Sequence, residues 1–248
     1  MTTAEQLINA ARELRNAAKE MSFSHPVAFV YNPLEYAWKS HSLYLERFGD
    51  SRKMVIFLGM NPGPWGMVQT GVPFGEIDAV KNWLGIEAPV EKPAAQHPKR
   101  PVTGFQCQRS EVSGKRLWGL FKERFAHPEN FFYDHFVANY CPLAFIEESG
   151  RNRTPDKLKP NERRLLFQVC DLHLAQVIQT LEPEWVIGVG RFTHQCILRV
   201  LENADTSTHL HTKVQAASIL HPSPASPAAN RDWAGTVTQQ LINLKIWS

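Results

Sequence analysis

Met54-Val55-Ile56-Phe57-Leu58 runs without a break into Gly59-Met60-Asn61-Pro62-Gly63-Pro64-Trp65-Gly66. Five consecutive apolar residues make a run of strand length with no polar face, the pattern of a strand covered on both sides in a parallel sheet. The loop that follows carries one uncharged polar side chain, Asn61, among prolines and glycines. The prolines stiffen it, while Gly63 and Gly66 let another molecule come close to the backbone. Loops leaving the carboxyl ends of strands are where open α/β sheets build their sites. A second unit of the same kind lies near the end of the chain, where Ala217-Ser218-Ile219-Leu220 leads into His221-Pro222-Ser223-Pro224. Together the loops offer an amide, backbone N–H groups and an imidazole, which suits a polar ring and supplies no strong nucleophile and no metal site.

Working outward, the apolar spacing alternates helices with strands. Thr3 can cap a helix with apolar positions at Leu7, Ile8, Ala11, Leu14, Ala18 and Met21. Helices are expected over Leu34–Phe48 and Glu76–Leu84, then from a Ser113 cap to Phe125, over Asn161–Leu181, over Arg191–Leu201 and over Asn230–Leu244. Strands are expected at Phe131–Val137, Trp185–Val189 and Lys213–Leu220. The irregular stretch between Gly85 and Val112 reads as a functional loop, because both its flanks belong to one alternation. Such an order predicts a central, mainly parallel four-stranded sheet flanked by helices.

Composition sets ordinary bounds. The 248 residues are 43% hydrophobic and 21% charged, with a net charge of +3 that suits an anionic partner without requiring one. Cys107, Cys141, Cys170 and Cys196 are scattered and form no C-x₂-C pair, so reduced thiols of an intracellular protein are expected and no metal or other cofactor. No apolar run reaches the roughly 20 residues of a membrane span, and the first residues lack a secretory pattern.

Several residues have both a bland and a functional reading. Asn61 can simply close a turn, and a histidine before proline can simply satisfy a core, but both stand at expected strand ends. Asn139 stands in Ala138-Asn139-Tyr140-Cys141-Pro142, where a side-chain amide offers donor and acceptor to a base edge. Phe74, in Val72-Pro73-Phe74-Gly75, either covers the core or stacks on a ligand. Gly188-Val189-Gly190 starts a dinucleotide fingerprint whose third glycine is missing, since position 193 is Thr193. The helix start after Gly190, with Arg191, can hold a phosphate. So can Lys99 and Arg100 in His97-Pro98-Lys99-Arg100, although an exposed basic pair is also an ordinary solvated surface. Gly150-Arg151-Asn152-Arg153 is open in the same way.

These motifs carry a resemblance. Gly59 to Met67, Gln69-Thr70-Gly71-Val72-Pro73-Phe74-Gly75-Glu76 and His221-Pro222-Ser223-Pro224 resemble the single-strand-selective monofunctional uracil-DNA glycosylase family. So do His97 to Pro101, Ser110-Glu111-Val112-Ser113-Gly114, Gly150-Arg151-Asn152 and Val189-Gly190-Arg191. The resemblance runs from about residue 25 to the end. It implies one glycosylase-like domain over 1–248, with residues 1–24 an accessory helix. It also implies hydrolysis of the bond between uracil, or a related modified base, and deoxyribose in single- or double-stranded DNA, by a monomer without membrane or cofactor. The compartment it implies is the bacterial cytoplasm beside the nucleoid, or the nucleus of a eukaryote.

By the same resemblance, Asn61 holds the attacking water and His221 stabilises the departing base. Phe74 stacks on that base, Asn139 bonds its Watson–Crick edge, and backbone near Met60 and Gly63 lines the pocket. With no lysine in either motif, an abasic site is left. Lys99, Arg100, Gly190, Arg191 and the loop Pro222, Ser223, Pro224, Ala225 meet DNA. Animal members carry a basic residue directly after Pro224, where this chain has Ala225-Ser226, and Arg231 is the candidate substitute. Three other readings remain: a damage-binding protein without catalysis, a nucleotide-binding α/β protein, and an esterase using Ser223 with His221. The last lacks a G-x-S-x-G elbow.

Overall fold

A computed structural model describes residues 1–204 and 214–248. In chain order the first half contains helix α1 (Thr3–Lys19), strand β1 (Val27–Tyr31), α2 (Pro33–Tyr36), α3 (Trp38–Phe48), β2 (Val55–Gly59) and α4 (Met67–Thr70). Next come α5 (Val112–Phe125), α6 (Pro128–Asp134), β3 (His135–Asn139), β4 (Ala144–Glu147) and β5 (Asn152–Arg153). The chain ends with α7 (Pro160–Leu181), β6 (Trp185–Val189), α8 (Arg191–Ala204), β7 (Gln215–Ile219) and α9 (Pro227–Asn243).

The apolar run becomes β2, buried at every position, with β3 and β6 as its neighbours. The sheet is parallel throughout, in the order β3-β2-β6-β7. Ile56, Phe57 and Leu58 are at most 1% exposed, and each such side chain contributes roughly 1.5–3 kcal/mol. Under β2, Phe57 meets Phe121 and Phe131, and the last two stack at 4.3 Å between ring centroids. All four strands end at one edge. Gly59 pairs with Asn139 and Val189 with Ile219, so the loops after them emerge side by side. The four-stranded parallel sheet expected from the alternation is therefore present.

Several local expectations are corrected. Thr2, not Thr3, caps α1, because its hydroxyl and the Glu5 side chain form a reciprocal capping box. The helix expected over Leu34–Phe48 breaks at Ala37 (φ −112°, ψ 24°), whose carbonyl is approached so closely by Gly71 (φ +75°) that a methyl there would sit 2.6 Å from it. Glu76–Leu84 closes around a π-helical turn at Ala79–Trp83. Val112 opens α5 and Ser113 caps nothing, since the preceding Glu111 turns its side chain elsewhere. Phe131 and Phe132 belong to α6, which Pro128 starts; the strand begins only at His135. Of the expected strand Lys213–Leu220, Lys213 lies outside the described residues and β7 covers Gln215–Ile219.

An antiparallel sheet, β1-β4-β5, lies outside the expected alternation. Helix α1 buries Leu7, Ile8, Ala11 and Leu14 in the same core as the parallel sheet, against α7 and α3. The stretch between Gly85 and Val112 is nearly without regular structure, with one 3₁₀ turn at Gly104–Gln106. It is tied down by Gln69, whose fully buried amide donates to the Pro64 and Pro101 carbonyls and accepts from Thr103 and Gly104. Among the described residues no helix is long and apolar enough to cross a membrane.

Candidate active site

The strand-end loops enclose a cleft of about 360 Å³, within the size range of small-molecule sites. Met60, Asn61, Gly63, Phe74, Asn139, His221 and Ser223 all line it. Parallel pairing explains the meeting: Gly59 and Asn139 stand opposite each other, and the ladder continues through Tyr140 N–H to the Gly59 carbonyl (2.8 Å) and Cys141 N–H to that of Met60 (2.9 Å). Gly59 is the floor. A methyl on it would overlap both Asn139 Oδ1 and the Phe74 ring.

Each polar side chain is oriented by a protein partner. Asn61 Nδ2 donates to the Leu143 carbonyl at 3.1 Å, which leaves Asn61 Oδ1 as an acceptor. Asn139 Nδ2 donates to Met67 Sδ at 3.1 Å, leaving its oxygen and second N–H for a ligand. The Ser223 N–H donates to His221 Nδ1 at 3.0 Å; because a backbone N–H can only donate, Nδ1 is bare and Nε2 carries the proton. Burial holds the His221 pKa below its usual value, so the ring is neutral near pH 7. Phe74 takes a left-handed backbone (φ +51°), fixed through its carbonyl, which accepts from Trp118 Nε1 (3.1 Å) and Glu76 N–H (2.7 Å).

Other expected contacts lie around this centre. Gly190 (φ +98°) packs against the His221 ring, where a methyl would lie 3.2 Å from it, and its N–H goes to the Ile219 carbonyl, so its observed part is to seat the histidine. Arg191 is exposed at the start of α8, and Arg231 is exposed on α9. Lys99 lines a separate depression with His97 and Glu148. Arg100 is half-buried beside Trp65. Pro222 is buried, while Pro224 and Ala225 are exposed. Arg116 clamps this loop by donating to the Pro222 carbonyl and to Asn230 Oδ1, both at 2.9 Å. Ser223 Oγ accepts from Ala225 N–H, and it is Ser223 N–H, not Oγ, that meets His221, which is no nucleophile–base pair.

Sequence reasoning did not single out Glu111, Met67, Asn152 or Thr154 as site residues, yet all line the cleft. The Glu111 carboxyl lies over Gly63, so closely that a methyl there would overlap it, and its buried Oε2 has no hydrogen-bond partner among the described residues. Burial raises its pKa. Its signal in the sequence was a carboxylate where a helix cap belongs. Among the described residues no group of three His, Cys, Asp or Glu could hold a metal ion.

Comparison with known proteins agrees with this geometry. The model of the Uracil DNA glycosylase superfamily matches residues 46–241. The single-strand selective monofunctional uracil DNA glycosylase of Bos taurus is 45% identical over 241 residues, covering 97% of this chain and 86% of the bovine one. That of Mus musculus is 44% identical, covering 97% and 84%. The crystal structure of wild-type SMUG2 from Pedobacter heparinus superposes with a TM-score of 0.67 at 15% identity, over 99% of this chain and 98% of that one, a likeness of fold.

Proposed function

The chain belongs to the uracil DNA glycosylase superfamily, and from that membership we propose that it is a monofunctional DNA glycosylase. It hydrolyses the N-glycosidic bond of uracil and related modified bases in single- and double-stranded DNA, as a monomer. The observation that carries the reading is the meeting of Asn61, Phe74, Asn139 and His221 in one cleft, the three polar side chains each oriented by a hydrogen-bond partner.

The target nucleotide leaves the stack, at about a few kcal/mol, and its base enters over Gly59 beside the Phe74 ring. Asn139 Oδ1 accepts uracil N3–H and its free N–H donates to O4. Cytosine presents the opposite pattern on that edge, and Met67 Sδ opposes a flip of the amide. The C1′–N1 bond breaks first, with its electron pair going to the base, because an amide is too weak a base to generate hydroxide. His221 Nε2–H donates to the O2 of the uracil anion. A donor aimed at developing charge is worth roughly 10²–10³ in rate. Water held by Asn61 Oδ1 then forms the C1′–O bond and releases its proton to solvent. Among the described residues no lysine lines the cleft, so the sugar is not trapped as a Schiff base and the backbone stays whole.

The test is base release from single- and double-stranded oligonucleotides carrying uracil, an oxidised pyrimidine or a deaminated purine, with chelator present. Heat-labile abasic sites without direct strand scission are expected from uracil. Binding to uracil DNA without release by wild-type protein would turn the reading to a damage-binding protein.

A further inference from the structure

Trp65 follows the Asn61 turn and carries two guanidinium groups. The Arg100 group lies 5.1 Å from the ring centroid and that of Arg109 4.7 Å. Neither arginine has an ion-pair partner among the described residues. The Arg100 guanidinium makes one hydrogen bond, from Nη1 to the Lys99 carbonyl, and Arg109 is exposed. Two like charges gathered on one indole repel each other unless an anion sits between or beside them.

The stack lies next to the cleft in sequence: Pro64, adjacent to Trp65, and Glu111, two residues from Arg109, both line it. The loop after His221, Pro222-Ser223-Pro224-Ala225-Ser226, carries no charged side chain of its own, and the Arg116 guanidinium beside it is engaged by the Pro222 carbonyl and Asn230 Oδ1.

We propose that the Arg109–Trp65–Arg100 stack seats a phosphodiester of single-stranded DNA next to the extruded nucleotide. The inference rests on the glycosylase reading of the cleft and names what holds the strand beside it. Arg109 is exposed, and Arg100 keeps Nη2 beside the Nη1 that donates to the Lys99 carbonyl; guanidinium donors of this kind can meet phosphate oxygens. Prior ordering by the indole lowers the entropy lost on binding. Such a contact positions the strand and reads no base.

The experiment measures binding of a labelled oligodeoxythymidylate by fluorescence anisotropy from about 50 to about 200 mM salt. On single strands each neutralised phosphate contributes about 0.7 to the slope of log affinity against log salt. Arg109→Gln is expected to weaken binding severalfold at low salt and to flatten the slope by about that amount. Trp65→Leu keeps both charges but frees them, so affinity falls while the slope stays near wild type. Lys122→Gln, an exposed lysine on α5, is the charge control and is expected to change neither. An unchanged slope in Arg109→Gln, or an equal effect in Lys122→Gln, would overturn the proposal in favour of a diffuse field. Uracil release by wild-type protein, assayed in parallel, separates the two readings. Release with an unchanged Arg109→Gln slope removes the phosphate seat alone, and a flattened slope without release leaves the seat and removes the glycosylase.

Discussion

At the scale of single residues, the proposed mechanism has the two central side chains act on opposite sides of one bond, and this separates their effects. His221 offers Nε2–H to a leaving base, so His221→Ala should cost most where the base leaves poorly. A 5-substituted uracil that ionises more readily should recover part of the loss. In the proposed mechanism Asn61 orders water, where misplacement costs roughly 10²-fold, and Asn61→Ala should lose a similar factor whichever base departs. Single-turnover rates of both variants on both substrates decide the matter. Equal losses on the two bases in His221→Ala would remove its leaving-group role. Asn61 and His221 stood out in the sequence because each opens a stiff Pro-rich turn just after an apolar run of strand length. Glu111 was not, since its place over Gly63 depends on a contact across the fold that no local pattern announces.

At the scale of elements, β2 and β6 were legible with little error, because an unbroken apolar run of strand length has few other solutions. The small antiparallel sheet was not, as β4 is four residues and β5 two, too short to show alternation. Aromatic residues misled at Phe131, where packing against Phe121 and Trp118 outweighs their preference for strands. The stretch between Gly85 and Val112 is tied to the fold by hydrogen bonds, and Gln69 supplies three of them, to Pro101, Thr103 and Gly104, besides one to Pro64. Gln69→Leu would leave two carbonyls and two N–H groups without that partner, at about 1–3 kcal/mol for each that stays dry. A lowered melting temperature is expected, with early protease cuts between residues 85 and 112. Intact chains under limited proteolysis would show that the stretch is anchored elsewhere.

At the scale of the whole molecule, buried histidines set the response to acid. Burial lowers the pKa values of His41, His135 and His173 to about 4. In the unfolded chain the same rings take a proton near 6.5. Between those values the unfolded state binds more protons, so stability is full above about pH 6.5 and falls as the pH drops toward 4. Urea midpoints at pH 7 and pH 4.5 check this, and equal midpoints would contradict it.

The parallel sheet also has a polarity that experiments can exploit. Strand ends carry the cleft, while strand starts meet the end of the chain, where Trp247 Nε1 approaches His135 Nε2 at 3.2 Å. Strands of five residues put about 16 Å between those edges. A tether joined after Ser248 would therefore hold the molecule by its back. Protein anchored to a bead through that end should process long DNA with its mouth facing the solvent, whereas an anchor cross-linked through the exposed Ala225 loop, as Ala225→Cys, should silence it.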